Sequence, residues 1–252
     1  MKIDIALHSS DSNPFYLDFW PLVSKIWKTK FHVEPLLLYI DNDHTIPIDE
    51  TYGKVIKLKP VDDIPLYLQC LWIRYWYPSQ VPEKVCMISD IDMFPLSRTY
   101  FIDQIAKVPD TSYVHLNPNH EFLPSCYHVA KGALFTKILD LEPTWEESIR
   151  ALHSRNLGHD CFTGTNTILQ GKLQWGADEE YATRKVRSYP DQSIFRFIPR
   201  THGRIDRGNW VYSPAGMQRD HYADSHSIRP YSDPVNKKKI DELIGYIYRY
   251  CA

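Results

Sequence analysis

Two carboxylates one residue apart in an otherwise apolar run are the residues of this 252-residue chain best suited to chemistry. The run reads Val85-Cys86-Met87-Ile88-Ser89-Asp90-Ile91-Asp92-Met93-Phe94-Pro95-Leu96. Removing two acids from water among such neighbours is costly unless a cation neutralises them. A hard divalent ion shared with a substrate phosphate meets that need, because such ions take carboxylate and phosphate oxygens. An Asp-x-Asp pair alone is a weak signal, and the chain carries a second one, Asp41-Asn42-Asp43, followed by His44 and Pro47. That pair reads as a polar turn ending a strand, where Asp and Asn bond their own backbone. Asp90 and Asp92 instead extend a buried strand over residues 85–89. If the strand continues through Asp92, alternation projects both carboxylates to one side, where they repel unless one is protonated or a cation bridges them.

Three further groups can carry chemistry. Trp175-Gly176-Ala177-Asp178-Glu179-Glu180-Tyr181 clusters three acids, a residue type that can accept a proton. The same acids also suit a helix N-terminus on electrostatic grounds alone. Residues 201–210 mix Arg204, Asp206, Arg207 and Trp210 with glycines. Arg204 and Arg207 suit a phosphate or an acidic sugar and Asp206 suits pairing with one of them, although a solvated basic surface explains the pattern equally well. Trp175 can stack on a sugar face or simply pack. Two histidines, His221 and His226, precede Arg229-Pro230-Tyr231, and the Arg229 guanidinium matches phosphate geometry.

The elements that must position these residues are legible in the first half. Ile3, Ile5 and Leu7 alternate as a first strand, which ends in the polar cluster Ser9-Ser10-Asp11-Ser12-Asn13 before a helical pattern in which Pro21 marks a start or a kink. Strands are expected over residues 36–40, 55–58 and 85–89, with an aromatic-rich helix over residues 65–77. Alternation of strand and helix predicts an α/β fold with a mostly parallel sheet, whose ligands bind beyond the carboxyl ends of the strands. The second half is less regular. Strands are expected over residues 113–116 and 129–135, helices over 145–153 and 179–185, and residues 160–169 are ambiguous. Gly132, inside the second of those strands, suits either close approach to a ligand or a plain strand glycine. The last helix is clear, with Asp233 capping, Pro234 at the first helical position and an apolar stripe of Ile240, Leu243, Ile244 and Ile247.

Composition narrows the partners. A net charge of −2 supplies no global attraction for nucleic acid polymers or membranes. The five cysteines contain no C-x-x-C pair and are odd in number, which argues against a zinc site and a complete disulfide set and for reduced thiols. The N-terminus lacks the long apolar core of a signal peptide, and 18 apolar residues never run together. A cytoplasmic protein without a membrane span is therefore expected. The 7 Trp and 17 Tyr exceed ordinary usage and suit stacking on sugars or bases as well as core packing.

Arg74-Tyr75-Trp76-Tyr77-Pro78, the strand Val85-Cys86-Met87-Ile88-Ser89 and Asp90-Ile91-Asp92, with Pro95-Leu96 after them, resemble nucleotide-sugar glycosyltransferases of the GT-A fold. The resemblance implies one GT-A-like domain over residues 1–252. In it a mostly parallel open sheet is flanked by helices, residues 1–97 bind the nucleotide sugar, and residues 98–252 form a less regular acceptor-side half with the C-terminal helix. It implies that Asp90 and Asp92 hold Mn2+ or Mg2+ against the donor diphosphate, with a histidine as third ligand. His226 is preferred to His221 because the Arg-Pro-aromatic end after it is similar, at shorter spacing, to the Lys-Pro-Trp that follows the metal histidine in some families. Donor contacts are implied for Ser9, Ser10, Asp11, Arg74, Asp90, Ile91 and Arg229, and acceptor contacts for Trp175, Arg204 and Asp206. Asp178 or Glu179 is the implied catalytic carboxylate, deprotonating the acceptor hydroxyl in an inverting enzyme or lying near the anomeric carbon in a retaining one. The expected partners are a nucleotide-sugar donor and a glycan or other hydroxyl acceptor. A nucleotidyltransferase and a non-catalytic glycosyltransferase-like binding protein are the alternatives. A nucleotidyltransferase usually has a glycine-rich phosphate loop after the first strand, and residues 8–14 contain no glycine. A haloacid-dehalogenase-like phosphatase fits less well, because its Asp-x-Asp lies near the N-terminus.

Overall fold

Period-2 alternation of apolar residues builds the centre of the fold, seen in a computed structural model that describes residues 1–118, 120–155 and 175–250. Residues 160–169, Cys161 and Cys251 lie outside the described residues. The strands are β1 (Ile5–Ser10), β2 (Glu34–Ile40), β3 (Lys54–Leu58), β4 (Val85–Ile88), β5 (Met93–Pro95), β6 (Tyr113–Leu116), β7 (His128–Lys131), β8 (Phe195–Ile198), β9 (Gly203–Asp206) and β10 (Tyr222–His226). The helices are α1 (Pro14–Leu17), α2 (Trp20–Ile26), α3 (Leu66–Trp76), α4 (Gln104–Ala106), α5 (Gly132–Leu139), α6 (Trp145–Ser154), α7 (Ala177–Ser188), α8 (Pro214–Gln218) and α9 (Pro234–Tyr250).

The main sheet has seven strands in the order β3-β2-β1-β4-β7-β6-β8. β1 pairs in parallel with β2 and β4, β2 with β3, and β6 with β8, while β7 runs antiparallel to both β4 and β6. The architecture is thus the mostly parallel α/β sheet flanked by helices expected from the sequence, and is consistent with a GT-A-like fold. Alternation sends Ala6, Leu37, Tyr39, Met87 and Val129 into a core with α2 and α9. Leu7, Leu36, Leu38, Cys86, Ile88 and Ala130 point the other way, into a core with α3, α5, α6 and α7. Burying both faces explains why β2 and β4 read as near-continuous apolar runs.

The capping signals behave as expected. Asn13 Oδ1 accepts from Phe15 N at 3.0 Å, and Asp233 Oδ1 accepts from Val235 N and Asn236 N, each at 2.9 Å. Asp41-Asn42-Asp43 is a turn, with Asp43 N donating to Asp41 Oδ1 and Thr45 N to Asp43 Oδ1, each at 2.9 Å. Two expectations need correction. The strand expected over residues 129–135 stops at Lys131, and Gly132 begins α5. A Cβ at Gly132 would lie 2.0 Å from the Pro78 carbonyl oxygen and 2.6 Å from that of Val81. This glycine therefore lets α5 approach the turn after α3 and serves packing. The fourth strand, too, stops at Ile88, so Asp90 and Asp92 lie in the turn between β4 and β5 and not on one strand face.

A second sheet, in the order β5-β10-β9, was not anticipated. β10 runs antiparallel to β5 with His226 opposite Met93, and parallel to β9 with Asp224 opposite Arg204 and His226 opposite Asp206. Ser227 N extends the ladder to Asp92 O at 2.9 Å. This register brings residues from the second half of the chain to the Asp90–Asp92 turn.

Candidate active site

Two adjoining clefts open around that turn. The first, of about 150 Å³, lies beyond the carboxyl ends of β1 and β4 and is lined by Ser9, Ser10, Asp11, Asn13, Tyr16, Asp92 and Arg229 among others. The second, of about 540 Å³, extends toward Asn117, Phe122, Ser125, Asp178, Glu179 and Arg204. Leu71, Arg74, Asp90, Trp175, Arg207 and His226 line both. A crevice past the strand ends is where an open α/β sheet leaves backbone groups and loops available to a ligand.

Arg74 sits at the junction, in the last turn of α3, with its side chain 3% exposed. Its guanidinium donates to Ser89 O at 3.2 Å, forms an ion pair with Asp90 Oδ1, and lies 3.9 Å from Asp178 Oδ2. One buried cation thus ties the Asp-x-Asp turn to the acid-bearing start of α7. Burial by itself would raise the Asp90 carboxyl, and Arg74 outweighs it, holding Asp90 below the usual carboxylate range. Burial raises Asp92, whose neighbours divide between His226, Arg229 and Arg207, which favour its charge, and Asp90, which opposes it.

The cations around Asp92 come from two elements far along the chain. Arg207 lies 3.4 Å and Arg229 3.5 Å from Asp92 Oδ2. Arg229 is also held over the rings of Phe15 at 5.0 Å and Tyr16 at 4.7 Å from their centroids. Such a cation–π seat fixes a guanidinium at the cleft wall. His226 presents Nε2 to Asp92 Oδ2 at 3.6 Å and Nδ1 to Asp206 Oδ2 at 3.4 Å. His221 is exposed at the start of the β10 segment, its ring against Tyr222, so His226 is the histidine brought to Asp92.

Among the described residues, no three His, Cys, Asp or Glu side chains form a ready metal cage. Asp92 Oδ2 and His226 Nε2 nonetheless face one another close to the ~3 Å at which two ligands of one octahedral ion sit. A carboxylate oxygen and an imidazole nitrogen suit Mn2+ or Mg2+ when phosphates and water supply the remaining ligands. Asp92 and His226 are thus the residues that would hold such an ion, with Arg207 and Arg229 also facing Asp92 Oδ2 and Asp90 engaged by Arg74 beside it.

On the far side, Gly176 (φ 83°) adopts the left-handed geometry that starts α7 and turns Asp178 and Glu179 into the larger cleft. Asp178 is 1% exposed, and its Oδ2 accepts from Ser125 Oγ at 2.7 Å. Glu179 Oε1 accepts from Ser125 N at 2.9 Å. Burial, followed by the charge of Asp178, raises Glu179 to about 8, and burial likewise raises Asp178 despite Arg74.

The other expected residues separate by role. Ser9 Oγ donates to Cys70 O, Ser10 Oγ donates to Asp11 O at 2.8 Å, and Asp11 Oδ1 accepts from Asn13 N at 3.1 Å, all on the rim of the smaller cleft with Ile91. Arg204 makes two hydrogen bonds to the fully buried Asp224, at 2.7 and 3.0 Å. Asp206 does not take an arginine partner as expected but holds His226. Trp175 lines both clefts, with Tyr67 5.9 Å away, centroid to centroid. Ser125 and Asp224 had no usable sequence signal. Arg207 was singled out with Arg204 for a phosphate or an acidic sugar, and of the two it is Arg207 that reaches Asp92.

No family model and no curated protein sequence matches the chain. Among solved structures, it is similar to a glycosyltransferase involved in the glycosylation of the major capsid of PBCV-1. That pair shares 12% identity with a TM-score of 0.44, over 96% of this chain and 98% of the other. No helix among the described residues is long and apolar enough to cross a membrane.

Proposed function

We propose that this protein is a metal-dependent glycosyltransferase that moves a sugar from a nucleoside-diphosphate donor to a hydroxyl of a carbohydrate or other acceptor. The observation that carries the proposal is the buried Arg74, which joins a cleft beyond the strand ends, lined by Arg207 and Arg229, to a larger acid-lined cleft. In this reading Ser9, Ser10 and Asp11 receive the nucleoside, and Arg207 and Arg229 receive the diphosphate. Asp92 and His226, with Asp90 beside them, hold Mn2+ or Mg2+. The ion, when bound, neutralises charge on the departing nucleoside diphosphate. Arg207 and Arg229 add fixed positive charge where that negative charge develops, in the manner of preorganised electrostatic stabilisation.

The acceptor lies in the larger cleft with Trp175 at its entrance. Asp178 is committed to Arg74 and Ser125, which leaves Glu179 the better placed to handle the proton of the acceptor hydroxyl. Arg204 maintains that wall through Asp224. The test is sugar release from a panel of nucleotide sugars, with Mn2+ and with chelator, by wild type and Asp92→Asn. Metal-dependent release that falls about 100-fold or more in the variant is expected. Release independent of metal, or equal in the two proteins, contradicts the proposal.

A further inference from the structure

The turn that follows β9 is built around one side chain. Asp206 Oδ1 accepts from Gly208 N at 3.0 Å, and the Asp206 carbonyl accepts from Asn209 N at 2.9 Å. The first of these bonds fixes the carboxylate plane and leaves Oδ2 facing the neighbouring strand. The parallel register of β9 and β10 sets His226 directly opposite Asp206, and Nδ1 of that ring lies 3.4 Å from the free oxygen. The other ring nitrogen points at Asp92 Oδ2, 3.6 Å away.

A carboxylate at Nδ1 accepts a proton there and so leaves the Nε2 lone pair available. Carboxylate–histidine–metal arrangements use this contact to set ring orientation and basicity.

We propose that Asp206 is the positioning residue of the ion site: it holds the His226 imidazole by a hydrogen bond at Nδ1, with Nε2 turned toward Asp92 and the divalent ion. The proposal rests on the reading of Asp92 and His226 as ion ligands, but its first half can be read without any ion. The informative substitution is Asp206→Asn. The amide oxygen keeps the bond from Gly208 N, so the turn survives. The amide nitrogen then occupies the position of Oδ2 and donates to Nδ1. That inverts the hydrogen bond, moves the imidazole proton to Nε2 and aims it at Asp92. Asp206→Ala, which removes the partner altogether, is the second variant.

Two measurements are made on wild type and both variants, with circular dichroism as a check on folding. Nitrogen NMR of the metal-free protein, with His226 assigned from His226→Gln, reads the tautomer. Titration with Mn2+ alone, followed by electron paramagnetic resonance of the free ion, reads affinity. The expected result is a protonated Nδ1 in wild type, an unprotonated, hydrogen-bond-accepting Nδ1 in Asp206→Asn, and Mn2+ affinity lower by about 10–100-fold in both variants. An unchanged Nδ1 in Asp206→Asn overturns the proposal, as does a changed Nδ1 with unchanged Mn2+ affinity. Wild-type protein that shows a protonated Nδ1 yet binds no Mn2+ overturns the ion-site reading, while the positioning contact itself stands.

Discussion

Replacing Arg74 by Met keeps most of the side-chain stem and removes the cation that Asp90 and Asp178 share. Breaking a buried ion pair by deleting one partner typically costs ~3–5 kcal/mol, because the remaining charge loses its compensation. Two features place this case near the lower end, at about 3 kcal/mol. Asp178 can relieve its loss by taking a proton, since burial already raises its carboxyl. The Asp90 side chain is 39% exposed, so water replaces part of what Arg74 supplied. The pH dependence carries a definite sign. Asp90 is held below the usual carboxylate range in the folded chain, so its contribution is present above the unfolded value of about 3.9 and is lost as pH falls through the lower folded value. Protonating Asp178 and Asp90 also removes the penalty in the variant. Urea unfolding of wild type and Arg74→Met is therefore expected to show a gap of about 3 kcal/mol near neutral pH that shrinks as acid protonates the two carboxyls, which titrate higher in the variant because Arg74 no longer opposes the effect of burial. Arg74→Lys should fall between them, because one ammonium cannot span Ser89 O, Asp90 and Asp178 as the guanidinium fork does. Equal stability of Arg74→Met and wild type at neutral pH, or a gap that does not shrink in acid, would refute this account of the junction.

Three further outcomes follow from the same geometry. Glu179 is raised to about 8, so its base form grows as pH rises through that value; the pH profile of kcat/KM should climb there, and Glu179→Gln should flatten the climb. Gly132→Ala drives a Cβ against the Pro78 and Val81 carbonyls and should cost about 1–3 kcal/mol, read as a lower Tm, whereas a variant melting with wild type would show that α5 shifts freely. His226→Ala should lose Mn2+ affinity in a direct titration while His221→Ala keeps it, because only His226 reaches Asp92.

The parts of the fold governed by local periodicity were readable from the chain. β1 to β4, α3 and α9 follow apolar spacing over several residues, and Asn13, Asp41 and Asp233 make the local bonds that their types favour. The run after Val129 was read as strand because Gly132-Ala133-Leu134-Phe135 is apolar without a clear helical period; close approach to the turn after α3 decided for helix. The β5-β10-β9 sheet was invisible for a different reason. Its strands are three to five residues long, and β9 and β10 carry Arg204, Asp206, Asp224 and His226, residues that look solvated until the strands pair. Register then matches Arg204 with Asp224 and Asp206 with His226, a relation that separation along the chain hides. The Asp-x-Asp turn was found by its apolar setting, but the strand-face argument for it failed, since β4 ends before Asp90.

The most direct test is a crystal structure of the protein soaked with Mn2+ and a nucleoside diphosphate. An ion is expected between Asp92 Oδ2 and His226 Nε2, with the diphosphate against Arg207 and Arg229 and the nucleoside beside Ser9–Asp11. An ion bound elsewhere, or a nucleotide outside the cleft beyond β1 and β4, would contradict the proposed function.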